Sequence, residues 1–283
     1  MLSILKNATP NTITFYTGTN SDHVKHLKDC TLICLPDQNF ELDNVKIIES
    51  DNPQLYFYRL SEKYKKDYLE KEKLKYSKKT KSYIHKNSQI HKSTIIHPGC
   101  ILGKVKIGKN CVIHPNVVIY SNTEIGDNVV IEANTVIGAE GVMWVWDNGK
   151  KIKLHQLGGT LIGSNVFIGS NVTIVRGSAN EITKIGDFTD IAHGTKIGHG
   201  CFIKENNHFA NNVSLAGSVE TYENCFFGSG SVVSPRIKIM KTIILGANSL
   251  LNNDVSESGV YIGSPAKFLK KIQGSLHGVP NYE

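Results

Sequence analysis

Two histidines, His193 and His199, stand six residues apart in one polar, glycine-rich stretch, and His208 follows nine residues later. A neutral imidazole accepts a proton near physiological pH, so each is a candidate general base. Three nearby histidines also raise zinc chemistry. That reading is the weaker one, because the intervals do not give a His-x4-His spacing and the chain has no Cys-x-x-Cys pair. No metal is expected. Trp144 and Trp146, the only tryptophans, lie in a turn-like segment with Asp147-Asn148-Gly149. A lone histidine in a turn is usually just hydrogen-bonded to its surroundings, so placement has to decide among these residues.

Placement comes from a repeat. From Ile84 an apolar residue returns every sixth position through Ile90, Ile96 and Leu102, then from Ile107 to Ile137, from Ile162 to Ile174, and from Ile185 to Leu251. Of these 25 anchors only Thr221 is not apolar, and ten are followed directly by Gly. A period of six fits neither a helix nor a long alternating strand. It fits short strands joined by tight turns, each sending one large side chain inward: a β-solenoid. Glycines after the anchors are expected to supply turn conformations that a Cβ disfavours. Cys100, Cys111, Cys201 and Cys225 occupy one repeat position and read as small buried side chains in a reducing compartment. The period breaks between Leu102 and Ile107, between Ile174 and Ile185, and most widely after Ile137, where residues 140–156 form a surface loop that serves either function or packing against another subunit.

Residues 1–60 lack the repeat and alternate β-like runs with helix-like stretches, as a small α/β domain would. Residues 61–82 carry most of a lysine-rich run with interleaved tyrosines, which reads as a solvated helical linker rather than a nucleic-acid patch. The solenoid is assigned to 83–256 and a tail to 257–283. Hydrophobic residues make up 40% and charged residues 20% of the 283, with a formal charge of +7, which argues for a folded protein with anionic partners. The start, Met1 to Asn7, is broken by polar residues, and no eighteen apolar residues run together. The expected setting is cytoplasmic, without membrane insertion and without nucleic acid.

The hexads match the signature of left-handed parallel β-helix acyltransferases, and their order resembles one family, the UDP-3-O-acylglucosamine N-acyltransferases of lipid A synthesis. The resemblance runs through Ile13-Thr14-Phe15-Tyr16, Asp51 to Leu60, Ile137-Gly138-Ala139-Glu140-Gly141, Thr173-Ile174-Val175-Arg176-Gly177 and Leu215-Ala216-Gly217-Ser218. It implies a mainly β chain with a left-handed parallel β-helix behind a small α/β nucleotide-binding-like domain, assembled as a homotrimer with sites in the clefts between chains. It also implies contacts to a nucleotide-linked amino sugar from Phe15, Tyr16, Trp144, Arg176 and His193.

That family's base is a His in an Ile-Ala-His string, which Ile191-Ala192-His193 matches in spelling. In the family the base also lies eighteen residues before the Gly of Ala-Gly-Ser, which points to His199 opposite Gly217. His199 is therefore preferred as base over His193, with the Gly217 amide stabilising the oxyanion. Gly263-Ser264-Pro265-Ala266-Lys267 resembles the ending of hexapeptide acetyltransferases that use coenzyme A. On that likeness Gly217, Arg236, Pro265, Ala266 and Lys267 are expected to meet acetyl-CoA or another acyl-CoA. The function so implied is N-acylation, as N-acetylation, of a nucleotide-linked amino sugar for surface glycan assembly. The alternative is lipid A synthesis with an acyl carrier protein as donor.

Overall fold

The computed structural model describes residues 1–65 and 67–272; residues 273–283 of the expected tail lie outside the described residues. The chain divides into two compact units. One holds Met1–Lys66, Glu140–Gly158 and Gly177–Glu181, and the other holds Asp67–Ala139, Gly159–Arg176 and the chain from Ile182 onward.

The larger unit is the solenoid expected from the six-residue period. Two- to four-residue strands pass in turn through three parallel walls. Wall one opens at Ile95–Ile96, wall two gains its first parallel rung at Ile101–Leu102, and wall three opens at Gln89–Ile90. Val112 lies opposite Val130 and Ile197 opposite Leu215, so one circuit takes eighteen residues. The circuit holding Ile131 and Ile168 is lengthened by residues 140–158, and the next one by residues 177–181. Both excursions leave the chain where wall two turns into wall three.

The anchors form a single core. Those from Leu102 to Leu251 are all at most 5% exposed, Thr221 included, whereas Ile84, Ile90 and Ile96 of the first circuit are only partly buried. Each fully buried side chain contributes roughly 1.5–3 kcal/mol, and only stacking on the neighbouring circuit removes it from water. The four repeat cysteines lie in the same core, and all six cysteines are buried thiols outside any disulfide.

The corners correct one expectation. Positive φ falls mainly on Asn, as at Asn110, Asn116, Asn128 and Asn212, and not on the glycines that follow the anchors, Gly138 excepted. Those glycines are needed for close approach instead. A Cβ on Gly198 would sit 2.6 Å from the carbonyl carbon of Ala216 on the next circuit. Asn tolerates the left-handed region, so it supplies the turn while Gly lets the circuits stack.

In the smaller unit β1 (Ile13–Phe15), β2 (Thr31–Cys34) and β3 (Lys46–Glu49) form a parallel sheet in that order, followed by α1 (Pro53–Lys63). Asn52 caps α1 by accepting the Leu55 N–H, and Pro53 opens the helix. The lysine-rich run is not a helical linker. Beyond Lys63 it forms β4 (Leu74–Ser77), antiparallel to β5 (Ser82–His85), and this hairpin starts wall two. Tyr76 opposite Tyr83 shows why a strand wins here: their rings pack 5.3 Å apart across the pair.

Candidate active site

His193 and His199 occupy different edges of the solenoid. His193 stands where wall one turns into wall two, after Asp190–Ile191, and His199 where wall two turns into wall three, after Lys196–Ile197. His208 lies within wall one, stacked on Phe226 at 5.2 Å and facing Asp190 at 3.7 Å. The three imidazoles do not converge, and among the described residues no group of His, Cys, Asp or Glu could hold a metal ion.

The role of His193 can be read from its corner. Its Nδ1 accepts the backbone N–H of Ser170 on the preceding circuit at 2.8 Å. Asp127 and Asp187 do the same at their own corners, accepting from Lys109 at 2.6 Å and Ser164 at 2.8 Å. A corner leaves one N–H unmet by the wall ladders, and a short acceptor on the next circuit satisfies it. With its lone pair engaged there, the neutral His193 ring carries its proton on Nε2 and has no acceptor to offer a substrate.

His199 is arranged differently. Gly217 takes the equivalent place on the next circuit, as the pairing of Ile197 with Leu215 requires. Having no side chain, Gly217 cannot reach back as Asp127 and Asp187 do. A Cβ there would overlap the His199 Nε2, so the glycine leaves room for the ring. The loop is still held, since Ser218 N–H donates to the His199 carbonyl at 2.7 Å and Arg236 N–H to the Gly217 carbonyl at 3.0 Å. Among the described residues no acceptor takes the Gly217 N–H. A half-buried imidazole and an uncommitted amide thus follow one another along one edge.

Arg176 corrects the sequence reading. It precedes His199 by one circuit in the same column, yet it is 1% exposed. Its Nε donates to the Gly138 carbonyl at 2.7 Å and Nη2 to the Ser121 carbonyl at 3.1 Å, while the guanidinium lies 3.3 Å from the Tyr68 ring centroid. It holds the corner from inside, with its guanidinium buried.

Arg236 is exposed one circuit beyond Ser218, and both take the left-handed conformation. Pro265, Ala266 and Lys267 belong to a hairpin in which Gly259–Gly263 pairs antiparallel with Ala266–Lys270 at the end of wall one. In a three-walled prism wall one lies opposite the edge shared by walls two and three. Within one chain, therefore, Lys267 and His199 are not brought together.

Phe15 is half-buried, 4.9 Å from Phe57, and Tyr16 hydrogen-bonds the Asn20 carbonyl and His23 Nδ1 at 3.1 and 3.0 Å. Both rings are engaged in their own unit. Trp144 is 40% exposed, on the antiparallel hairpin of Trp144–Asp147 with Lys150–Lys153. No motif or spacing points to His155, which is 8% exposed with Nε2 2.5 Å from Glu62 and Nδ1 3.1 Å from Glu140, binding residues 140–158 to α1. Burial pushes the Glu140 carboxyl up, but Lys153, the Gln156 N–H and His155 outweigh it and leave it below the usual carboxylate range.

The walls and corners define the class of molecule. The model of the bacterial transferase hexapeptide (six repeats) matches residues 104–139, and that of the hexapeptide repeat of succinyl-transferase matches 159–178 and 223–264. The chain is a hexapeptide-repeat β-solenoid resembling the acyltransferases of lipid A synthesis.

Among particular proteins, it is 29% identical over 125 residues to UDP-3-O-acylglucosamine N-acyltransferase of Delftia acidovorans, covering 44% of this chain and 37% of that one. It is 30% identical to the enzyme of that name from Herminiimonas arsenicoxydans, covering 44% and 35%. The chain thus spans little over a third of the length of these curated relatives. Among solved structures, UDP-N-acetylglucosamine O-acyltransferase of Moraxella catarrhalis superposes with a TM-score of 0.60 at 28% identity, covering 67% of this chain and 72% of that one. The UDP-N-acetylglucosamine acyltransferase of Campylobacter jejuni gives 0.61 at 26%, covering 68% and 73%.

Proposed function

We propose that this protein transfers an acyl group from a thioester to the amino group of a nucleotide-linked sugar, with His199 as general base and the Gly217 amide as oxyanion donor. The observation that carries the reading is the succession of the His199 imidazole and the uncommitted Gly217 N–H along one edge. The sugar amine attacks the thioester carbonyl carbon as its proton passes to the His199 imidazole, and the carbonyl oxygen becomes an anion facing the Gly217 N–H. Collapse of the tetrahedral intermediate breaks the C–S bond, and the proton on His199 leaves with the thiolate. Amine rather than hydroxyl acceptance follows the names of the relatives matched by sequence.

A left-handed coil and a three-chain assembly, both implied by the family resemblance, complete the proposal. Coenzyme A is the first reading for the donor, resting on Gly263 to Lys267. Because that hairpin lies on the wall opposite the His199 edge, its meeting with the donor requires a neighbouring chain. The second reading, an acyl carrier protein, is favoured by relatives whose named substrate is an already acylated UDP-sugar. Purified protein is to be given a UDP-linked amino sugar with acetyl-CoA or with a hydroxyacyl carrier protein, and the product read by mass. No turnover with any short acyl-CoA removes the first donor reading, and no acylated product with either donor removes acyl transfer itself.

A further inference from the structure

The hairpin of Trp144–Asp147 and Lys150–Lys153 has one face in the core of its unit and one face in water. Val145 and Ile152 pack inward with Leu154 and Phe57, while Trp144, Trp146, Lys151 and Lys153 point out. Trp146 is 54% exposed, and nearby Val142 is 82% exposed. The acids close to this face are engaged: Asp147 pairs with Arg59, and Glu140 pairs with Lys153 and His155. Lys150 and Lys151 take part in no ion pair among the described residues. On wall three, Lys106 and Lys238 meet Glu124 and Glu220 at 2.7 and 3.9 Å.

The ring geometry distinguishes between anionic partners. The indoles meet edge to face at 5.1 Å, and the Lys151 ammonium lies 4.5 Å from the Trp144 centroid and 5.5 Å from that of Trp146. A platform for nucleobases presents open ring faces along a basic groove, whereas here the faces are covered by the ammonium and the hairpin is no groove. Indole edges beside exposed aliphatic surface, with lysines able to reach outward, fit the boundary between lipid headgroups and acyl chains.

We infer that this hairpin is a peripheral docking face for anionic phospholipid bilayers, with Trp144, Trp146 and Val142 entering the headgroup layer and Lys150 and Lys151 meeting lipid phosphates. The contact is interfacial and independent of the acyl-transfer reading.

Both tryptophans of the chain lie in this hairpin, so tryptophan emission, excited selectively over that of the tyrosines, reports on it alone. With vesicles of phosphatidylglycerol and phosphatidylcholine, the emission shifts to shorter wavelength and the protein co-sediments; with phosphatidylcholine alone both effects are weaker. The double variant Trp144→Ala/Trp146→Ala sediments at least about tenfold less well. Lys150→Glu/Lys151→Glu, which keeps both indoles, loses the preference for anionic vesicles. An unshifted spectrum with no sedimentation, or double variants that sediment like the wild type, overturns the proposal. So does a spectral change with oligothymidylate and none with vesicles, which assigns the face to nucleic acid.

Discussion

His193 and His199 differ in what their rings lie against. His193 closes its own corner by accepting the Ser170 N–H, whereas the His199 ring rests over a glycine. Spelling alone favoured His193, and the eighteen-residue count favoured His199, because a string of letters travels between corners but the stacking register does not. The register was legible in the sequence; the capping task of His193 was not, since it depends on an N–H twenty-three residues away. Gly217→Ala places a methyl group against the His199 Nε2. The expected result is a fall in kcat of about 10² or more, as for a misplaced base, with the melting temperature nearly unchanged. A variant that folds and turns over at the wild-type rate contradicts the assignment of this edge.

Strands and corners were readable because each circuit repeats the same demand: an anchor for the core and a residue able to take the turn. Arg176 escaped that reading. Val175-Arg176-Gly177 gives no hint that the guanidinium turns inward onto Tyr68, which precedes it by more than a hundred residues. The lysine-rich run was also misread, because charge density obscured the alternation that pairs Tyr76 with Tyr83. Arg176→Met leaves the carbonyls of Gly138 and Ser121 without their donors. About 2–4 kcal/mol of stability is expected to be lost in urea denaturation, with KM for the acceptor unchanged. A large rise in KM with unaltered stability restores Arg176 to the substrate. Residues 140–158 were legible as an excursion but not as part of the smaller unit, since His155 reaches Glu62 only once α1 is in place.

At the scale of the whole molecule, the solenoid is a stack whose core contains ionisable thiols. Burial pushes the Cys225 thiol up to about 12, from an ordinary value of 9.0, and raises those of Cys100 and Cys111. A group whose folded pKa is raised contributes its stability below the unfolded value and loses it as pH climbs toward the folded one. Thermal stability should therefore fall above about pH 9, and Cys225→Ala should flatten that decline; an equal slope in the variant removes Cys225 as a cause. Glu140, held low by its partners, acts at the other end, and its contribution disappears as pH drops below the usual carboxylate range. Both effects concern folding and leave the proposed chemistry to one edge. The most direct test is the single-turnover rate of acyl transfer by His199→Ala and His193→Ala under saturating substrates, with the mass of the assembly checked in each case. The expected outcome is a loss of 10² to 10⁴ for His199→Ala and a far smaller change for His193→Ala. Near-wild-type turnover by His199→Ala, with the large loss in His193→Ala, would contradict the account.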